Sequence, residues 1–290
     1  MKYTIWVLLL TISFCECKSQ DLLPFQDGSL WGFKDKEGTI IINPQFQYAL
    51  RFKYGIGVVA KNDSLGAIDK NNNTLIPFRY QFLEPLDSTE FLFGFRTKYF
   101  GEYRMGVLAS NGTIKIPAAY SFISKRYGRY TVVRHEATIL DKSPSGDTRS
   151  IKSYYGLFDQ NGKEVIPCDY DYIDWVNESL LVFSRGNESS HQALFNSQGE
   201  QLTSFEYLVF GKLIEGVMKA RIDDKFGFVY PNGKVAVPIQ YDYCEDFDNG
   251  YAMIRHQDTW GAIDKKGSVV IKPIFSQKQI EKILKEKYRR

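Results

Sequence analysis

The chain has 290 residues, 37 basic against 34 acidic, with 43% hydrophobic and 15% aromatic side chains. That is apolar enough to build a sizeable core and too apolar for a disordered chain. Setting aside the first nineteen residues and a C-terminal stretch with six basic and two acidic residues leaves a body of net charge near −2, which excludes a nucleic-acid partner.

In chain order, Met1-Lys2 precedes the apolar run Tyr3–Phe14 and then small and polar residues, the layout of an export signal. The run is shorter than the ~20 residues a spanning helix needs, so residues 1–19 are expected to be a processed leader and no transmembrane segment is expected. Two processings stay open. Cys17-Lys18-Ser19 suits ordinary cleavage before Gln20, whereas lipid acylation of Cys15 or Cys17 would follow Phe14 or Glu16 instead of a small residue. The expected location is therefore periplasmic or cell-surface, with or without a lipid anchor.

Residues 22–275 repeat. Anchors fall at Gly32, Gly66, Gly106, Gly156, Ala193, Gly227 and Gly261, with a basic period of 34 residues lengthened by three insertions. Six residues after each anchor come Gly38, Asn72, Gly112, Gly162, Gly199, Gly233 and Gly267, the residue types that best accept a positive φ. Pro44, Pro77, Pro117, Pro167, Pro238 and Pro273 follow, with Ser204 in the fifth repeat, and fourteen residues after the anchor an aromatic always stands: Phe46, Tyr80, Tyr120, Tyr170, Tyr207, Tyr241, Phe275.

Each repeat reads as three antiparallel strands. A short apolar strand leads to the anchor strand, a turn opened by Asp35, Asp69, Asp159 or Asp264 leads to the proline strand, and a connection of about ten residues leads onward. Proline cannot donate to a ladder, so its strand should end there or lie at a sheet edge. The two positions after the anchor are both apolar in most repeats, so both sheet faces should be buried, as in stacked sheets. The first repeat departs with Phe33-Lys34, which suits an outer face. Ala137–Ser153 and Arg185–Gln192 are polar and are expected to be loops at the hairpin tips. A second aromatic two residues after the first (Tyr48, Phe82, Phe122, Tyr172, Tyr243) is expected on the same strand face. Residues 276–290 place Ile280, Ile283, Leu284 and Tyr288 on one helical face, either a cap on the last sheet or a basic surface for an anionic membrane or partner.

The phrases "LWGFKDKEGTIIINPQF", "KFGFVYPNGKVAVPIQY" and "TWGAIDKKGSVVIKPIF" resemble the bacterial Trp-Gly repeat, the WG or KWG repeat, over residues 22–275. The resemblance implies an all-β tandem array, commonly in exported or surface-associated proteins, with no reaction or catalytic residues attached. Only Trp31 and Trp260 keep the tryptophan; Leu65, Met105, Tyr155 and Phe226 replace it, and the fifth repeat reads Gln192-Ala193. Such exchange among large apolar groups marks a space-filling role. The expected fold is all-β, seven three-stranded repeats with a short C-terminal helix, a propeller-like ring being favoured over an open β-solenoid.

Chemistry is sparse. His135, His191 and His256 have no partner at metal-ligand spacing, the turn aspartates lack the alternating oxygen ligands of a calcium loop, and no phosphate loop, Gly-x-Ser-x-Gly or Cys-x-x-Cys occurs. Cys168 and Cys244 read as free thiols. No metal, cofactor or enzymatic activity is expected. The aromatic excess in "CDYDYIDW" and "QYDYCEDF" singles out Tyr172, Trp175 and Tyr243 as candidate ligand-binding residues for a protein or glycan of the cell envelope. The alternative is a glycan-active hydrolase or carbohydrate-binding protein, and a hydrolase would carry acids clustered in one cleft.

Overall fold

The computed structural model describes residues 22–98, 101–143, 146–186 and 191–288; the expected leader, 1–19, lies outside them. The described residues form seven small sheets, each a meander in which neighbouring strands follow one another in sequence. The first comprises Leu23–Asp27, Leu30–Lys34 and Ile40–Phe46. The second comprises Tyr48–Ala49, Gly57–Lys61, Ser64–Ile68 and Thr74–Tyr80. The third comprises Phe82–Pro85, Glu90–Arg96, Tyr103–Ala109 and Ile114–Tyr120. The fourth comprises Phe122–Arg126, Arg129–Ser143, Gly146–Phe158 and Glu164–Tyr170. The fifth comprises Tyr172–Asn177, Leu180–Arg185 and His191–Asn196. The sixth comprises Val209–Ile214, Val217–Ile222, Lys225–Val229 and Val235–Tyr241. The seventh comprises Tyr243–Cys244, Tyr251–His256, Thr259–Asp264 and Val269–Phe275, followed by one helix, Gln277–Tyr288.

The three-stranded repeat is present, with an addition. In five sheets the connection from the preceding repeat contributes a fourth, edge strand, as short as the two residues Tyr48–Ala49 or Tyr243–Cys244. The fifth sheet instead lacks its proline strand; residues 199–207 meet it through the isolated bridges Phe195↔Gln201 and Gln192↔Tyr207, with the Leu202 amide donating to the Leu194 carbonyl and the Leu194 amide to Thr203 Oγ1.

Turn chemistry follows the sequence. Gly38, Asn72, Gly112, Gly162, Gly199, Gly233 and Gly267 all have positive φ, from +66° at Asn72 to +93° at Gly38. The opening carboxylate binds its own turn: Asp264 Oδ1 accepts from the amides of Lys266 and Ser268, both at 2.9 Å, and Asp159 Oδ1 accepts from Asn161 at 2.8 Å and Lys163 at 2.9 Å. Asn196 performs the same task in the fifth repeat, accepting from Gln198 and Glu200.

The anchor glycine answers a different need. Trp260 pairs with Phe275 and Ala262 with Ile271, so two residues on one strand face four on the other and the proline strand arches over Gly261. A Cβ there would lie 2.5 Å from the Ile271 carbonyl oxygen and 2.7 Å from the Pro273 nitrogen. The same arch covers Gly32, Gly66, Gly156 and Gly227, each against the carbonyl ten residues on. Proline suits this edge bulge because no ladder bond is asked of it. The fifth repeat, with no proline strand, carries Ala193 at the anchor, fully buried.

Packing divides the described residues into two compact units, those within 1–101 with 107–114 and those within 102–106 with 115–290. In the first, Phe33 and Ile42 meet Phe52, Val59 and Ile68 between the first and second sheets. In the second, Leu157 and Ile166 meet Leu181, Phe183 and Phe195; Leu180, Val182 and Leu194 meet Met218, Ala220 and Val229; Phe228 and Val237 meet Ile254 and Ile263. One rule covers these interfaces: the residue after the anchor faces the next sheet and the one after that faces the preceding sheet. Each such large side chain, fully buried, stabilises by about 1.5–3 kcal/mol. At the seventh sheet Ala262 faces the helix, whose Ile280 is fully buried beside Met253, with Leu284 packed alongside. The helix is thus a cap on the last sheet; the Tyr288 side chain lies outside the described residues. Its start is a capping box, the Ser276 amide donating to Gln279 Oε1 at 2.9 Å. No helix among the described residues is long and apolar enough to cross a membrane.

Two expectations are corrected. Ala137–Ser153 is no loop: apart from residues 144–145, outside the described set, it prolongs one hairpin in register to Ser143↔Gly146, past a bulge between Glu136 and Ile139. A strand pair bonds its own backbone whatever its side chains, so polar composition did not oppose it. In Arg185–Gln192 residues 187–190 lie outside the described set, and its ends belong to strands. The aromatic pairs do not share a face either. Tyr170 is buried and ends one sheet, while Tyr172 is exposed and begins the next, because Asp171 between them turns the chain.

Gly227→Ala should overpack the arch and destabilise the protein by about 1–3 kcal/mol, whereas Ala193→Gly should cost only about 0.5–1 kcal/mol through backbone entropy. Denaturant unfolding of the two variants should show that order. Asp264 offers a second test. The Ser268 amide bond, opposed by slight burial and helped by the Lys266 amide, holds its carboxyl below the ordinary value. Stability from this bond is complete above the unfolded value of about 3.9 and is lost as pH falls through the lower folded value. An acid titration of Asp264→Ala, against the parent chain, should lack that part of the loss below about pH 4.

Candidate functional site

Several exposed aromatics share one repeat position. Tyr48 begins the second sheet, Tyr172 the fifth and Tyr243 the seventh, sixteen residues after an anchor, and they are 47%, 51% and 38% exposed. Each stands edge-on to the ring before that anchor: Trp31–Tyr48 at 6.5 Å, Tyr155–Tyr172 at 6.2 Å and Phe226–Tyr243 at 5.5 Å, all 63–67° between planes. Tyr243 also meets Trp260 of its own sheet at 5.9 Å, so Phe226, Tyr243 and Trp260 form three consecutive rungs. The Trp-Gly ring is therefore half buried: Trp31 and Trp260 pack on core clusters and present an edge to this row.

Register explains the row. In the seventh sheet Tyr243 pairs with Arg255, Arg255 with Trp260, and Trp260 with Phe275, four residues on four adjacent strands. The sixth sheet aligns Val209, Arg221, Phe226 and Tyr241 in the same way. Cations lie over the rings, Lys219 Nζ 5.8 Å from Tyr243 and the Arg221 guanidinium 5.7 Å from Phe226. Lys219 also pairs with Asp246 at 3.1 Å.

The row continues into the hairpin tips. Asp242, next to Tyr243, accepts from Lys225 Nζ at 2.6 Å and from the Gln257 amide at 2.7 Å, and these bonds, Lys225 foremost, hold its carboxyl below the usual range. Asp171, next to Tyr172, accepts from the Gly186 amide at 2.7 Å and lies 3.3 Å from Lys152. Gln47 and Gln81 clasp the amides of Asp63 and Arg96 from the same position.

Of the three residues singled out by sequence, Tyr172 and Tyr243 thus stand at equivalent points of different sheets. Trp175 does not join them. It shares the face of Ile173, packs on the core between the fourth and fifth sheets, and its indole N–H donates to Thr131 Oγ1 at 3.3 Å. Its exposed edge meets Tyr127 at 5.3 Å.

A second feature has no local sequence signal. Glu245, Asp246 and Asp248, in the connection after Cys244, line one cleft of about 240 Å³ with Glu281 and Lys285 of the helix, beside Tyr251 and Met253. Burial, and after it the Glu281 carboxylate, pushes Glu245 up, against the opposing effect of Lys219. Glu245 and Glu281 are far apart in sequence, so only the docked helix brings them together.

His191 is exposed, His256 lies edge-on to Tyr241 at 6.2 Å with Nδ1 buried and unpartnered, and the His135 side chain lies outside the described residues. Among the described residues no three His, Cys, Asp or Glu side chains gather as metal ligands. Burial pushes the thiols of Cys168 and Cys244 up to about 12, and both are free.

The family model described as "WG containing repeat" matches residues 31–63, 66–88, 155–187, 226–259 and 260–277. The third and fifth repeats, with Met105 before the anchor and with Ala193 as the anchor, fall outside these matches. No curated protein matches the chain. Among solved structures it is similar to a chain described as "AfRom2 CNH domain", at 11% identity over 87% of this chain and 82% of that one, with a TM-score of 0.22.

With thiols so far from ionising, a thiol-directed reagent at pH 7.5 should leave Cys168 and Cys244 unmodified in the folded protein and label both in denaturant. Residue-resolved mass spectrometry reads the difference.

Proposed function

The chain is a WG-containing repeat protein, and on that premise we propose that it is an exported, non-catalytic binding module whose aromatic row engages a protein or glycan of the cell envelope. The observation that carries this reading is the recurrence of an exposed tyrosine at one repeat position, Tyr172 and Tyr243, each seated on a Trp-Gly-position ring. A ring fixed by an aromatic neighbour loses little entropy on binding, and tyrosine offers an apolar body with a polar tip. Repetition adds a second property, because rings at equivalent points of the fifth and seventh sheets suit an extended partner that touches more than one at once. The N-terminal run Tyr3–Phe14 supports export, with cleavage before Gln20 or a lipid anchor as the two routes.

The acidic cleft supports a second reading, a glycan-active hydrolase. Two carboxylates of unlike environment are what glycoside cleavage requires, and Glu245, with its raised value, would be the acid. Release of reducing ends from envelope glycans, abolished by Glu245→Gln, would select this reading over the first.

The binding reading is tested by capture from native envelopes. Tyr172→Ala and Tyr243→Ala should each weaken capture by roughly tenfold, about 1–2 kcal/mol, while the unfolding transition is barely changed because both rings are exposed. Unaltered capture by the double variant would reject the aromatic row as the site.

A further inference from the structure

The cations along the row of rings differ in one respect. Lys219 and Lys225 are each held by an aspartate, Asp246 at 3.1 Å and Asp242 at 2.6 Å. Arg221 and Arg255 are not, for among the described residues neither guanidinium meets a carboxylate. The Arg221 Nε–H donates to the Asp223 backbone carbonyl at 2.6 Å, and the Arg255 Nε–H is buried with no acceptor. A buried donor left unpaired is costly, so its retention calls for a reason.

Position supplies one. Both arginines stand six residues before an anchor, Gly227 and Gly261, and both keep part of their surface in solvent. Strand pairing sets each beside the rings of its repeat, Arg221 opposite Phe226, and Arg255 opposite both Tyr243 and Trp260. Phe226, Tyr243 and Trp260 touch in sequence at 5.5 and 5.9 Å. Two neighbouring sheets thus present one strip of three rings, with a carboxylate-free guanidinium on each sheet.

We infer that this strip binds an acidic polysaccharide through its uronic-acid units, sugar faces lying on the rings and carboxylates on Arg221 and Arg255. The inference rests on the aromatic row being the binding surface and names what that surface takes. A pyranose offers an apolar C–H face that an aromatic ring can cover, and a planar guanidinium takes a carboxylate through two parallel N–H bonds. Packed sheets lie about 10 Å apart, so arginines at one repeat position of adjacent sheets suit a chain that carries carboxylates at intervals, not a single acid sugar. An acidic peptide fits less well. The sheet edge beside these rings, Tyr243–Cys244, is two residues long, too short to add a peptide strand and pair its amides.

The test measures binding of the full chain by isothermal titration calorimetry to oligogalacturonate and oligomannuronate, to their carboxyl-reduced counterparts, and to an oligoglutamate. At least one uronate should bind, with its reduced form and the peptide weaker by roughly tenfold or more. Arg221→Gln and Arg255→Gln should each weaken uronate binding by roughly tenfold and leave the reduced glycan unaffected, whereas Tyr243→Ala should weaken both. Arg255→Lys, which keeps the charge without the fork, should fall between parent and Arg255→Gln, and it serves if Arg255→Gln does not fold. Equal binding of acid and reduced glycans, arginine variants that bind uronate as the parent does, or a preference for the peptide overturns the inference. So does the failure of both uronates to bind, even where capture from envelopes stays sensitive to Tyr243→Ala, a result that would keep the aromatic row as a site and remove only its assignment to acidic glycans.

Discussion

Everything in this chain is organised around a close approach: the proline strand's carbonyl rests where the anchor glycine would otherwise carry a Cβ. The approach fixes three things together. The glycine has to be bare, the covering strand has to carry two extra residues, and that strand has to be an edge because its arch interrupts the ladder. Once the arch is set, the invariant aromatic lands opposite the residue before the anchor, as in Trp31↔Phe46 and Phe226↔Tyr241. The fifth sheet shows the dependence from the other side. There residues 199–207 form no ladder strand although Gln192 still meets Tyr207, and the anchor position is held by Ala193, fully buried.

The ring before the anchor is therefore determined by position more than by identity. It projects from the mouth of the gap between sheets, half on the core and half in reach of solvent, so Trp, Leu, Tyr or Phe can each cover the gap. The resulting row is in the first place a structural seam. Its availability for recognition comes from the second ring, the one that opens the next sheet, which has no core to fill and is exposed at Tyr48, Tyr172 and Tyr243.

Much of this was legible in the sequence, and the boundary between what was and what was not has a physical cause. The period, the turn glycines, the Asp-opened turns and the in-register aromatics are local constraints, each exerted within about fifteen residues, and so each leaves a residue type at a fixed offset. The edge strands leave no such mark, because two residues such as Tyr243–Cys244 show no alternation. The pairing of Tyr170 with Tyr172 was misjudged because a turn at Asp171 reverses what strand spacing alone would imply. Of the candidate ligand-binding residues, Tyr172 and Tyr243 are exposed, whereas Trp175 packs inward, since only the neighbouring sheet supplies the Thr131 hydroxyl that holds its indole. The Glu245–Glu281 cleft is the extreme case, assembled by a helix that docks across sequence distance.

The same distinction bears on where function can reside in such an array. Positions governed by the arch and the stacked faces are shared by every repeat, and a change at one of them disturbs packing before it can alter recognition. Freedom is left in the opening strand of each sheet and in the hairpin tips that the residue beside it clasps, as Asp171 clasps Gly186 and Asp242 clasps Gln257. Those clasps tie the exposed tyrosine to the tip through one intervening side chain, so the two regions that can vary are held in fixed relation by the one that cannot. A partner that contacts both would find a rigid surface even where the sequence is least constrained, and that rigidity is what a repeat array contributes to binding.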